Sequence, residues 1–152
     1  RVAQIACPGG AFEIVEREPL VIVDSAHNQD SALRLRLAMD DYLNGKPIIL
    51  LFGASEDKDV GGMFTYLLPR VQMVVATKSE HPRAMDPNIL VELAHQYGKK
   101  AVLTTTIEEG LSEALRLAGK DKVVMIAGSI FIAAAAREIL LNKKTDTEVT
   151  TE

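Results

Sequence analysis

Cysteine is almost absent from this chain. Cys7 stands alone among 152 residues, so no internal disulfide can form and a reducing, cytoplasmic setting is expected. Positive charge is also short: 17 Lys and Arg meet 21 Asp and Glu, for a net charge of −4. No basic cluster is interleaved with aromatics, which argues against nucleic acid as a partner. Long hydrophobic runs are missing. The stretch "VVMIAGSIFIAAAA" is interrupted by Gly128 and Ser129 and is too short to span a bilayer, so no membrane partner is expected. The N-terminus lacks the charged-then-apolar order of a signal peptide. It opens with Arg1 rather than Met, which fits a piece of something longer. No P-loop, G-x-G-x-x-G fingerprint, zinc-ligand spacing or nucleophile elbow occurs.

What is present is a regular alternation. Strand-like runs fall at residues 12–16, 20–24, 47–52, 71–77, 100–104 and 122–127. Those at 20–24, 48–52 and 123–127 are apolar without alternation, as parallel strands covered on both faces require. Helical patterns lie between them. Over 28–43, Ala32, Leu35, Met39 and Tyr42 form one buried stripe. A second helix is expected over 57–68. Asp86-Pro87 opens a third that stops at Gly98. Thr106 and Glu109 have capping-box spacing ahead of Leu111, Ala114, Leu115 and Ala118. The last helix is expected over 129–141, with 142–152 a polar, disordered tail. Strands alternating with helices predict an α/β fold, a Rossmann-like doubly wound, mostly parallel six-stranded sheet with helices on both faces. Such sheets bind ligands beyond the carboxyl ends of their strands.

Four strand ends carry polar residues. "VDSAHN" places Asp24, His27 and Asn28 ahead of a helix. Asn28 or Ser25 could simply cap that helix. Alternatively Asp24 meets a ribose hydroxyl or a magnesium-bound water, and His27 reaches a phosphate beside the helix N-terminus. "FGASEDKD" turns at Gly53 and offers Lys58 as a point charge for phosphate, or merely a solvated helix start. "ATKSEHPRAMDP" presents Ser79, His81 and Arg83 on a loop stiffened by Pro82. Arg83 there suits bidentate capture of a carboxylate, and an exposed turn is the bland alternative. In "AGSIF", Ser129 is an N-cap or a donor to an anionic substrate, and both roles are compatible.

Together, "CPGGAFEIVEREPLVIVDSAHNQDSA", "GASEDKDV", "HPRAMDP" and "AGSIFIAAAAREIL" resemble, in order, the C-terminal domain of the Mur ligase superfamily. The similarity is strongest to the folylpolyglutamate synthase/dihydrofolate synthase branch and covers about residues 5–141. The resemblance implies that residues 1–141 are a glutamate-ligase C-terminal domain. The whole enzyme would be an ATP-dependent, amide-forming ligase that adds L-glutamate to folate or dihydropteroate through an acyl phosphate. By the same resemblance, Asp24 and His27 are catalytic and, with Asn28 and Lys58, face the nucleotide. Ser79, His81, Arg83 and Ser129 would hold glutamate. ATP and Mg2+ would be bound mainly by an N-terminal ATP-binding domain of the same protein, with no metal ligand from this segment, so the segment alone would not turn over. Departures from the family pattern are Ser25 for glycine, Gln29 for proline, and Gly10-Ala11 where an arginine follows Pro-Gly. A peptidoglycan-building Mur ligase and a stand-alone, non-catalytic α/β binding domain are the alternatives.

Overall fold

The computed structural model describes residues 3–4 and 12–150, with side chains considered for 12–146. Among the described residues seven strands form one sheet: β1 (Ala3–Gln4), β2 (Glu13–Arg17), β3 (Leu20–Val23), β4 (Ile48–Phe52), β5 (Met73–Ala76), β6 (Lys100–Leu103) and β7 (Val123–Ala127). Their order is β1-β2-β3-β7-β4-β5-β6. The pairs from β3 through β6 are parallel, while β1–β2 and β2–β3 are antiparallel. The sheet is therefore mostly parallel, as expected. Its seventh strand is a two-residue edge piece beyond the six read from the sequence.

Both central strands are buried at every position. Alternate residues of β4 serve opposite layers: Ile48, Leu50 and Phe52 belong to one core, Ile49 and Leu51 to the other. The first core is closed by α1 (Gln29–Tyr42), α2 (Val60–Leu67) and α3 (Pro87–Gln96), through Leu35, Met39, Phe64 and Leu90. The second is closed by α4 (Ile107–Ala118) and α5 (Ile130–Thr150), through Leu111, Ala114, Ile132 and Ala136. Non-alternating apolar strands and one-sided helical stripes thus predict both layers, except that Tyr42, expected in the buried α1 stripe, is 49% exposed at the last residue of that helix, with Ala38 buried in the stripe instead.

Helix boundaries follow local chemistry. Asp86 accepts the Asn88 N–H ahead of Pro87, and Gly98 ends α3 at φ +77°. Thr106 accepts the Glu109 N–H. Asn28 caps α1 in a reciprocal box with Ser31, not with a glutamate. The expected second helix starts late. Asp59 is its cap, because the Asp59 side chain accepts the Gly62 N–H, and a 3₁₀ turn at Leu68–Arg70 finishes it around Pro69.

The polar tail is where the sequence reading fails. α5 continues to Thr150 instead of ending at 141. Lys144 Nζ donates to the Val15 carbonyl at 2.9 Å and lies 3.6 Å from Glu16, which ties the tail to the β2 edge. The half-buried, loosely spaced ion pair adds about 1 kcal/mol at most. The hydrogen bond and the helix-forming Leu-Leu-Asn-Lys-Lys run carry the extension. Gly10 and Ala11, where an arginine is replaced, lie outside the described residues, as does Cys7.

Parallel pairing brings the carboxyl ends of β3, β7, β4, β5 and β6 to one edge. Along that edge β4 leads into α2 on one face while its neighbour β7 leads into α5 on the other. The connections diverge and leave a crevice. β5 and β6 repeat the arrangement with α3 and α4.

Candidate functional site

The crevice between β4 and β7 begins with a backbone crossing. Gly128, at φ +113°, donates its N–H to the Ala26 carbonyl at 2.9 Å. A Cβ on Gly128 would sit 2.2 Å from the Gly53 carbonyl oxygen. Loops after β3, β4 and β7 therefore meet within a space that only glycine permits. Asp24 closes the first of these loops. It is 4% exposed, and its Oδ1 accepts the Ala26 N–H at 2.8 Å. Burial pushes its carboxyl pKa up, opposed by that hydrogen bond.

Around the crossing lies a cleft of about 340 Å³. The β3 loop contributes His27, and the β4 loop Ser55, Asp57 and Lys58. The β5 loop adds His81 and Arg83, and the turn into α5 adds Ser129, Ile130 and Phe131. Five residues singled out in the sequence converge here: His27, Lys58, His81, Arg83 and Ser129. They come from four loops spread over more than 100 positions. Two cationic side chains and two imidazoles face one carboxylate, Asp57, so the cleft suits an anionic ligand.

The two imidazoles are held in opposite tautomers. His27 Nδ1 lies 2.9 Å from the Ser25 carbonyl, which can only accept, so Nδ1 carries a hydrogen and, in the neutral ring, Nε2 has the lone pair. His81 Nδ1 accepts the Arg83 N–H at 3.1 Å, so the neutral ring carries its hydrogen on Nε2. One ring offers an acceptor and the other a donor. The backbone carbonyl of Arg83 accepts the Glu56 N–H, and Ser55 bridges Ala84, which bind the β5 loop to the β4 loop. Ser129 is 5% exposed, and its Oγ accepts the Phe131 N–H at 3.0 Å, capping the start of α5.

Three expected site residues sit elsewhere. Asp24 lies beneath the loop rather than on the cleft wall, because its carboxylate is used on Ala26. Asn28 is exposed, and its Oδ1 accepts the Ser31 N–H at 2.8 Å as helix cap. Ser79 lines a second, neighbouring cavity. Ser55, Asp57, Ile130 and Phe131 were not anticipated. Of these Phe131 follows a Gly-Ser turn by two residues on the first turn of an apolar helix, a position that reads as core from sequence, yet it is 49% exposed.

The sequence matches the family described as "Mur ligase, glutamate ligase domain" over residues 11–130. A probable bifunctional folylpolyglutamate synthase/dihydropteroate synthase of Haloferax volcanii is 34% identical over 129 residues, covering 84% of this chain and 15% of that protein. The Mycobacterium tuberculosis folylpolyglutamate synthase, solved with ADP and AMPPCP, superposes with a TM-score of 0.80 at 26% identity. That match covers 90% of this chain and 33% of the solved one. A bifunctional folylpolyglutamate synthase/dihydrofolate synthase with Mn, AMPPNP and L-glutamate bound gives a TM-score of 0.77 at 28% identity, covering 89% of this chain and 32% of the other. This chain therefore spans about a sixth to a third of the proteins it matches. With the family matched across most of its length and the same doubly wound sheet, the chain belongs to the Mur ligase glutamate ligase domain family.

Proposed function

We propose that this chain is the C-terminal, glutamate-binding domain of an ATP-dependent ligase that adds L-glutamate to a folate or dihydropteroate carboxylate. The observation that carries the reading is the convergence of His27, Lys58, His81, Arg83 and Ser129 on one cleft. Arg83 pairs with a glutamate carboxylate, and His81 Nε2–H and the Ser129 hydroxyl donate beside it. His27 Nε2, the free lone pair, takes a proton from the incoming ammonium. The amine then attacks the activated acyl carbon. A C–N bond forms, the C–O bond to phosphate breaks, and the second proton of the amine leaves with inorganic phosphate.

Asp24 becomes a positioning residue, because it fixes the loop from which His27 projects. Asn28 acts through the α1 cap in the same way. Ser79 supports the β5 loop, since its Oγ accepts the His81 N–H at 3.3 Å. ATP supplies the phosphoryl group that activates the acceptor carboxylate, and half-buried Lys58 fits one of its phosphates as a point charge. Among the described residues no group of three His, Cys, Asp or Glu side chains is placed to hold a metal ion; it is the family resemblance that assigns the ligands for Mg2+ mainly to the remainder of the longer protein. Closure of that N-terminal, ATP-binding part over the cleft would shield the acyl phosphate from water.

The test is phosphate release by the full-length protein with ATP, Mg2+ and a folate or dihydropteroate. Release that depends on L-glutamate is expected. Its absence refutes the reading, and release only with a UDP-linked peptide acceptor moves the protein to peptidoglycan synthesis.

A further inference from the structure

Two cavities open on the same edge of the sheet, and the lining residues they share are His81 and Phe131. The two rings stack with centroids 4.4 Å apart and planes 27° from parallel. A stacked pair lining both spaces is a wall between them. The second cavity measures about 700 Å³, twice the volume of the cleft. It occupies the β5–β6 divergence, against Ile107 of α4 and Ala135 and Ile139 of α5. Its charge is opposite to that of the cleft: Glu80, Glu108 and Glu138 outnumber Lys78.

We propose that Phe131, braced on His81, is the partition that sets how long an amino-acid side chain the cleft accepts. The inference rests on the amino-acid-ligase reading above. Phe131 is the separable half of the wall. It is 49% exposed, and its backbone is held independently of its ring by the bond to Ser129. His81 is anchored by the Arg83 and Ser79 hydrogen bonds. Deleting the phenyl ring therefore joins the two spaces and leaves the loop that carries Arg83 in place. A side chain longer than that of glutamate then extends into the second cavity. The carboxylates there favour a distal ammonium over a distal carboxylate.

The experiment compares L-glutamate, L-lysine and L-2-aminopimelate as amines for full-length wild type, Phe131→Ala and Phe131→Tyr. In Phe131→Ala the kcat/KM ratio of lysine to glutamate rises about tenfold or more. 2-Aminopimelate improves less, and Phe131→Tyr keeps the wild-type ratio. Adding Ala135→Phe, which fills the second cavity from α5, returns the ratio of Phe131→Ala to wild type. A ratio unmoved by Phe131→Ala, or a rise that survives Ala135→Phe, overturns the proposal. Methyl NMR reads the connection without turnover. Lysine shifts Ile130 alone in wild type, and Ile130, Ile107 and Ile139 together in Phe131→Ala. Silent Ile107 and Ile139 methyls in that variant overturn the partition. A wild type that lacks glutamate turnover and still gives the NMR pattern refutes the ligase reading and leaves the partition standing.

Discussion

Gly128→Ala tests the crossing on which the cleft is built. The new Cβ would lie 2.2 Å from the Gly53 carbonyl oxygen and 2.8 Å from Phe52 Cε2, in a backbone at φ +113°. Backbone strain costs roughly 1–3 kcal/mol. Forcing apart a carbonyl and a buried ring adds roughly 1–3 kcal/mol, because neither is the mobile end of a flexible side chain. The expected loss is about 4 kcal/mol, a large share of the 5–15 kcal/mol that holds a domain of this kind together. Gly45→Ala is the control. Gly45 has φ +75° and nothing within 4 Å of a built Cβ, so strain alone applies, at about 1–2 kcal/mol. Urea unfolding of both variants separates the terms. With m near 2 kcal/mol/M, Gly128→Ala should unfold about 1 M or more below Gly45→Ala. Equal midpoints would refute the argument that close approach, rather than φ, reserves position 128 for glycine.

Further outcomes follow from the site. In the full-length enzyme, Arg83→Ala removes a charge-assisted contact worth about 1.5–3 kcal/mol, so KM for glutamate rises about tenfold or more while KM for ATP holds; the reverse pattern removes the Arg83 assignment. His27→Ala lowers kcat about 100-fold, and an unchanged kcat returns His27 to a surface role. Asp24→Asn alters the pH profile of stability. Because burial raises the folded carboxyl above the ordinary 3.8, ionising it penalises the fold, and wild type loses stability as pH rises from 3.8 through the folded value. Denaturation series should show Asp24→Asn matching wild type near pH 3 and exceeding it at pH 7; wild type gaining on the variant as pH rises would reverse the sign. Asn28→Ala loses the α1 cap, about 1 kcal/mol, which lowers Tm by about 3 °C; Asn28→Ser should lose less, and a Tm unmoved in both refutes the cap.

The elements were legible wherever chemistry is local. Fully apolar runs such as "IILLF" and "VVMIA" announce strands covered on both faces, and the Asp86-Pro87 start and Gly98 stop bracket α3. The length of α5 was not legible, because what holds residues 142–146 is the Val15 carbonyl, 129 positions from Lys144. Strand order was equally hidden. No local pattern tells β7 to enter between β3 and β4. In the site, residue type pointed to His27, Lys58, Arg83 and Ser129, because imidazole, cationic and hydroxyl groups at strand ends suit anions, and the family resemblance added His81. Asp24 and Asn28 lie off the cleft wall for a physical reason: short polar side chains beside a helix start satisfy backbone N–H groups first. Phe131 escaped because an aromatic on an apolar helix reads as core, and its exposure depends on a cavity that no single segment encodes.

The place of β7 has a consequence for biogenesis. It pairs on one side with β3 and on the other with β4, so until residue 127 leaves the ribosome those two strands present unpaired, wholly apolar borders to one another and to the cell. Partial products should be captured by chaperones or lost to aggregates rather than accumulate as stable halves. The cleft is completed late as well, since His27 waits about a hundred residues for the turn that brings Ser129 to the same wall.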